Sequence, residues 1–318
     1  MKRKVIIGLT YGDVSGIGPE ILAKVLNNWK YELTPVVIGS KSVLKKFKLK
    51  DNRKIIFYPS AIKDFKFIPG KPSSASGQDS YDSLKEAAKL ALNGKINALV
   101  TGPVSKETIN KAGIKFSGQT EALAKLANVN PKKAIMIFVS RDLRIALFTR
   151  HIALKNVYKQ IDKTSLEKFI LILNGELKKW FKIKNPRIGL LGLNPHAGEN
   201  GLFGDEEKKV ISKIIASLKK RKINIYGPLS PDATLAMAGQ DYLLKKKQKY
   251  DVYVSLYHDQ ALPMFKAVAG LDGVNVTFGL PFLRVSVDHG TAFNIAGKNK
   301  ASEKGLESAI EIVDKLFL

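Results

Sequence analysis

Apolar residues along this chain follow two alternating rhythms. Short runs dense in β-branched residues read as buried strands: Val5-Ile6-Ile7, Val36-Val37-Ile38, Ala98-Leu99-Val100, Ile135-Met136-Ile137-Phe138-Val139 and Val252-Tyr253-Val254. Between them lie amphipathic stretches with helical spacing. In Thr164 to Phe181 the apolar positions are Leu166, Phe169, Ile170, Leu173 and Leu177, and Thr164 with Glu167 has the spacing of a capping box. The stretch Ser302 to Leu316 repeats the device with Ile310, Ile312, Val313 and Leu316. Strand, Gly/Pro loop and helix in repetition predict an α/β fold, a largely parallel sheet flanked by helices. Sites in such folds lie in the loops after the carboxyl ends of strands. The Pro/Ser/Gly-rich segment Pro69 to Ser80 reads as a flexible connection, and the chain has no internal repeat or low-complexity tract.

A length of 318 residues suggests two lobes or one large α/β unit, and 45% hydrophobic with 25% charged residues supports a large core rather than disorder. No apolar stretch approaches the ~20 residues a bilayer span needs. The start, MKRKVIIGLTYGD, has too short an apolar part for a signal peptide and reads as a first strand. The absence of cysteine excludes disulfides and thiolate metal ligands, and fits a cytoplasmic protein. A net charge of +25 raises the question of nucleic acid, but only eight of the 53 basic residues are arginine. The lysines are spread in short groups such as Lys178-Lys179 and Lys245-Lys246-Lys247, and no nucleic-acid motif accompanies them. The charge reads as a solvated surface, with neither nucleic acid nor membrane as partner.

Histidine is scarce, and its placement repeats. His151 in FTRHIAL, His196 in LNPHAGENG and His258 in SLYHDQALP each follow an apolar, strand-like run. Three imidazoles from different strand ends can converge on one divalent metal with open positions, with Glu199 and Asp259 as carboxylate partners behind them. Each taken alone reads more readily as a satisfied loop histidine, and only the repeated placement brings the metal reading level with it. A second set of residues suggests an anion. Arg284 stands alone in an apolar run that also contains Asn275, and lone arginines in lysine-rich chains suit bidentate recognition of phosphate or carboxylate. A structural ion pair with Asp288 explains Arg284 as well. Lys266 follows the His258 strand and adds positive charge. Ser117, Gly118, Gln119 and Thr120 precede an amphipathic stretch, where free amides favour an anion or Thr120 simply caps the helix. The loop YGDVSGIGPE matches neither a dinucleotide fingerprint nor a P-loop, and Lys106 in TGPVSKE stands at another strand-to-helix corner.

Taken together, GDVSGIGPE, TGPVSK, GQTE, LNPHAGENGLFGDEE, YHDQALPMFK and NVTFGLPFLRVSVDHGTAFNIAG resemble, in order, the motifs of the 4-hydroxythreonine-4-phosphate dehydrogenase family. The resemblance runs from Gly12 to Gly297. It implies NAD- or NADP-dependent oxidation of 4-phosphooxy-threonine, then loss of carbon dioxide, in pyridoxal phosphate biosynthesis. It implies one divalent metal (zinc, magnesium or cobalt) on His151, His196 and His258. Substrate contacts fall on Gln119, Thr120, Lys266, Asn275 and Arg284. The implied fold is like that of isocitrate and isopropylmalate dehydrogenases. It has two α/β/α lobes around a cleft, discontinuous in sequence with both termini in one lobe, and forms a homodimer whose active site includes both subunits. There His289, Gly290 and Thr291 resemble the cofactor-binding loop.

Three candidates stand for the proton acceptor, Lys106, Asp232 and Asp259. One position departs from the family pattern, which has Gly-His-Thr-Glu where this chain has Gly118-Gln119-Thr120-Glu121. Glutamine keeps a hydrogen-bond donor for the phosphate but carries no charge. Dehydrogenases of erythronate or threonate 4-phosphate share every motif quoted, and phosphate acyltransferases share the overall fold without needing three metal-binding histidines.

Overall fold

The computed structural model describes residues 5–50, 55–59 and 66–317. The chain folds as two compact units, residues 1–134 with 274–318, and residues 135–273.

In the first unit the strands are β1 (Ile6–Thr10), β2 (Thr34–Ile38), β3 (Ile56–Tyr58), β4 (Ala98–Thr101), β10 (Val274–Phe278) and β11 (Leu283–Val287), in the order β3-β2-β1-β4-β11-β10. All pairings are parallel except β10 with β11, a tight return through Gly279 to Phe282. Helices α1 (Gly18–Asn27) and α2 (Lys41–Lys46) follow β1 and β2. Helices α3 (Ser74–Leu92), α4 (Lys106–Lys111) and α5 (Gln119–Leu126) come next, and α11 (Lys304–Phe317) closes the chain. Successive strand residues point to opposite faces, so Val36, Ile38 and Leu99 share a side. There they pack on Leu84, Ala87 and Ala88 of α3, Ile109 of α4 and Leu123 of α5.

The second unit orders its strands β5 (Ile135–Ser140), β6 (Leu143–Leu147), β9 (Val252–Ser255), β7 (Ile188–Leu191) and β8 (Ile225–Leu229). β5 and β6 form an antiparallel hairpin, and the rest pair in parallel. Its helices are α6 (Val157–Gln160), α7 (Lys163–Trp180), α8 (Ser212–Lys220), α9 (Pro231–Leu243) and α10 (His258–Ala269). Leu235, Ala238 and Tyr242 of α9 and Leu262 and Phe265 of α10 cover Phe138, Ile145, Leu147 and Tyr253.

Two local expectations need correction. Helix α7 is capped by Asp162, whose carboxylate accepts from Ser165 N at 2.9 Å, and Thr164 lies inside the first turn. Aspartate caps at least as well as threonine, and Asp162 is the residue with extended backbone. The segment Pro69 to Ser80 is not a flexible connection. From Ser74 onward it is helix α3, begun by a capping box in which Ser76 N donates to Ser73 Oγ and Ser73 N to Ser76 Oγ, each at 3.1 Å. A serine pair read as loop composition is here a helix start.

The Ser165 hydroxyl and backbone N–H hold the Asp162 carboxyl below the ordinary carboxylate range. A depressed pKa means stability present above the unfolded value and lost as pH falls through the folded one. Asp162→Ala is expected to lower stability by about 1 kcal/mol at pH 7. The gap from wild type should close as pH falls below about 4, which denaturant titrations at the two pH values will check.

Candidate active site

Three predicted ligands come from three neighbouring parallel strands of the second unit. β9 pairs with β6 on one side and β7 on the other, so their carboxyl ends share one edge of the sheet. His151 follows β6, His196 follows β7, and His258 opens α10 directly after β9. The rings of His151 and His258 lie 5.6 Å apart, tilted by 43°. The His258 Nδ1 sits 2.7 Å from Asp259 Oδ1, and the His196 Nδ1 sits 3.4 Å from Asp232 Oδ2. A carboxylate on Nδ1 fixes the ring and leaves Nε2 as the ligating atom. Asp232, rather than Glu199, is thus the carboxylate behind His196. The Ser230 hydroxyl, the Ala233 backbone N–H and, more weakly, His196 hold its carboxyl below the ordinary range.

Among the described residues, no three His, Asp or Glu side chains cluster closely enough to hold a metal. The structure brings His151 and His258 together and presents His196 on its own loop. In donor chemistry the set suits a divalent cation such as zinc: three imidazoles, two of them adjacent, with Nδ1 of His258 at Asp259 and Nδ1 of His196 near Asp232. Of the proposed proton acceptors, Asp232 and Asp259 both serve an imidazole. Lys266 is exposed in the last turn of α10, on the helix that His258 begins.

In the first unit, Arg284 on β11 is 3% exposed. Its guanidinium does not pair with Asp288. Nε and one terminal nitrogen donate to Thr101 Oγ1 at 3.2 and 2.8 Å, and the other terminal nitrogen donates to Thr277 Oγ1 at 3.0 Å. Register explains the geometry, since Thr277 lies directly across β10 from Arg284, and Thr101 ends the adjacent β4. Burial pushes the Arg284 pKa down to about 10, with the Glu121 carboxylate opposing the shift. It therefore stays cationic at neutral pH. Each threonine oxygen accepts from the guanidinium, so each hydroxyl hydrogen is free to donate elsewhere. The result is a cluster of donors suited to an anion. Thr101 and Thr277 stand inside TGPVSK and NVTFG, yet nothing in their spacing marks them as partners of Arg284.

Three buried side-chain atoms without a hydrogen-bond partner fall on predicted ligand positions: Gln119 Oε1, Asn275 Oδ1 and His289 Nε2. Gln119 begins α5 and donates from Nε2 to Gly102 O at 3.1 Å. One of its two N–H groups is therefore engaged, while the second N–H and the buried acceptor are left for a ligand. Thr120 is 3% exposed within the first turn, and the helix N-cap is Gly118, not Thr120. Lys106, at the start of α4, reaches toward Gly118: its Cε lies 3.8 Å from where a Cβ on that glycine would stand. His289 Nδ1 faces Gly290 O at 3.1 Å, and Thr291 O accepts from Ile17 N at 2.9 Å. The opening loop YGDVSGIGPE, which carries no nucleotide fingerprint, thus braces the predicted cofactor loop.

The family model described as pyridoxal phosphate biosynthetic protein PdxA matches residues 24–313. The chain belongs to the PdxA family. It is 36% identical to 4-hydroxythreonine-4-phosphate dehydrogenase of Sulfurihydrogenibium sp., over 97% of each chain. It is 35% identical to D-threonate 4-phosphate dehydrogenase of Pectobacterium atrosepticum, over 98% of this chain and 99% of that one. The crystal structure of 4-hydroxythreonine-4-phosphate dehydrogenase from Klebsiella pneumoniae superposes with a TM-score of 0.84 at 30% identity, covering 99% of this chain and 100% of that one. A β-decarboxylating dehydrogenase from Thermococcus kodakarensis shares the fold at a TM-score of 0.53 and 13% identity. Membership in the PdxA family makes this chain an oxidoreductase.

A guanidinium this buried, hydrogen-bonded only to hydroxyls, gains little for the fold and much for an anion. Arg284→Met is expected to raise the KM for a phosphorylated substrate at least about thirtyfold, the lower end of the ~2–5 kcal/mol for truncating a buried charged contact. The melting temperature should stay equal or rise. An unchanged KM with a lower melting temperature would show that Arg284 serves the fold alone.

Proposed function

We propose that this chain oxidises 4-phosphooxy-L-threonine at its secondary alcohol with NAD or NADP and a divalent metal. The product, 2-amino-3-oxo-4-phosphooxybutanoate, then loses carbon dioxide to give 3-amino-2-oxopropyl phosphate. The observation that carries this reading is the coincidence of two features. Histidines end three adjacent parallel strands, and unsatisfied buried polar atoms lie at the positions where the family holds its ligands.

When bound by His151, His196 and His258, zinc, magnesium or cobalt would lower the pKa of the substrate alcohol and stabilise negative charge on its oxygen during decarboxylation. The nicotinamide would accept the hydride. The remaining work belongs to the side chains. Arg284, with the Thr101 and Thr277 hydroxyls, binds an anionic end of the substrate, and Lys266 binds a second. Asn275 and Gln119 offer hydrogen bonds to the substrate's polar groups, which limits its orientation. His289, Gly290 and Thr291 hold the cofactor, with Ile17 N fixing the Thr291 carbonyl. Asp232 and Asp259 orient His196 and His258. We further infer a cytoplasmic homodimer whose active site includes both subunits. Exposed Met237 and Leu243 on α9, with Leu244 just after it, support self-association.

A second substrate, D-threonate 4-phosphate, has a specific basis. The Pectobacterium relative named for it is about as similar as the Sulfurihydrogenibium one, and Gln119 replaces the family histidine. Assays should place both substrates beside NAD and NADP, reading the reduced nicotinamide by absorbance. Higher kcat/KM on 4-phosphooxy-L-threonine is expected. Chelation should abolish turnover, zinc, magnesium or cobalt should restore it, and His196→Ala should not recover on metal addition. Preference for D-threonate 4-phosphate would overturn the substrate assignment, and full turnover after chelation would overturn the metal dependence.

A further inference from the structure

We propose that Glu207 is a positioning residue that fixes the backbone of the loop carrying His196, and through it the loop's capacity to bind metal, an inference that rests on the metal reading above. The loop has an unusual backbone. His196, Ala197, Gly198, Glu199 and Asn200 all take left-handed conformations, with φ of 51°, 55°, 78°, 37° and 59°. Residues bearing a Cβ disfavour this region, and a run of them does not persist unless its surroundings impose it.

The imposing group is a buried carboxylate. Glu207 is 3% exposed, and its Oε1 accepts from the backbone N–H groups of Leu193 at 2.7 Å and Asn194 at 2.8 Å. Its Oε2 accepts from Asn194 Nδ2 at 3.0 Å, and that amide also donates to Glu206 Oε2 at 2.7 Å. Both residues that lead from β7 into Pro195 and His196 are thus fastened to the far side of the loop. The spacing of glycines follows from this clamp. A Cβ on Gly198 would stand 2.8 Å from Glu207 Oε2, and one on Gly204 would stand 2.6 Å from both Asn194 Nδ2 and Glu206 Oε2. Glycine, at φ of 78° and 122°, lets the loop close on the two carboxylates. The motif LNPHAGENGLFGDEE therefore reads as one device: a ligand in its first half, and in its second half the acid that holds it.

Glu207 touches neither substrate nor metal, so its effect must pass through His196. Cobalt(II) titrations followed by calorimetry and visible absorption, on full-length wild type, Glu207→Gln, His196→Ala and the double variant, test this. Glutamine keeps the shape but turns an amide toward N–H donors. We expect cobalt affinity to fall about 10–100-fold in Glu207→Gln, the usual effect of losing support behind a ligand. The double variant should bind no more weakly than His196→Ala alone. Should Glu207→Gln fail to fold, Asn194→Ala removes one partner of the clamp and should weaken cobalt binding several-fold. Wild-type affinity in the foldable variant, or a loss that adds in full to that of His196→Ala, would overturn the proposal. Wild-type cobalt binding by His196→Ala would instead defeat the metal reading and leave that failure distinguishable.

Discussion

The parallel pairing of β6, β9 and β7 is the constraint on which the candidate site depends. In a parallel sheet all chains leave at the same edge, so residues that follow these three strands emerge side by side although they are far apart in sequence. His151, His196 and His258 use that edge, and Asp232, at the head of the helix after the parallel β8, uses it too. Core residues such as Ile145, Leu191 and Tyr253 hold the strands in register by packing against α9 and α10. The register in turn decides which loops can meet. The positions of these histidines are set by the hydrophobic packing of the strands they follow.

The first unit solves a different problem, how to keep a cation out of water without neutralising it. Arg284 is buried among strands, and burial disfavours its charge. Hydroxyls of Thr101 and Thr277 satisfy part of the guanidinium by hydrogen bonds without carrying charge of their own. Gln119, Asn275 and His289 add buried atoms that have no partner. Each such atom left unsatisfied costs about 1–3 kcal/mol, a cost that a matching ligand removes. A fold carrying several is less stable than it could be, and the deficit becomes selectivity for a ligand that supplies the missing charge and hydrogen bonds.

Much of this was legible in the sequence, and the rest was not, for identifiable reasons. The strand runs stood out because parallel strands buried on both sides are continuous apolar segments. The strand-end histidines stood out because histidine is rare in this chain. Composition misled at Pro69 to Ser80, where serines and glycine suggested a loop but the Ser73 and Ser76 pair begins a helix. The cap of α7 was displaced by two residues because Thr164 and Asp162 offer the same chemistry, and only backbone geometry chooses between them. Pairing across the fold was out of reach. That Thr101 and Thr277 meet Arg284, or that Asp232 rather than Glu199 meets His196, depends on strand order, which no local spacing encodes. Glu207 lay inside a recognised motif, and the interval of its glycines was a visible trace of the clamp, but only the hydrogen bonds show what the glycines make room for.

Gln119 shows how one hydrogen bond can fix the orientation of an amide. Viewed as a residue type, glutamine in place of histidine keeps a donor, so phosphate was the natural partner. In the fold the Nε2 group is committed to Gly102 O, an acceptor that cannot instead pair with the amide oxygen, so the orientation of the amide is fixed. What remains is the second N–H of the amide and Oε1, which is buried and unpaired. A phosphate dianion has no hydrogen to give it, and two acceptors facing each other in a desolvated site repel. The group that meets Oε1 must be a donor, such as an ammonium or a hydroxyl. In 4-phosphooxy-L-threonine the carbon beside the carboxylate bears the first, and in D-threonate 4-phosphate it bears the second. A neutral amide oxygen accepts from either, whereas a protonated histidine at the same position would repel the ammonium. A glutamine at this position can therefore offer an acceptor to a donor group and an N–H to an anion at the same time.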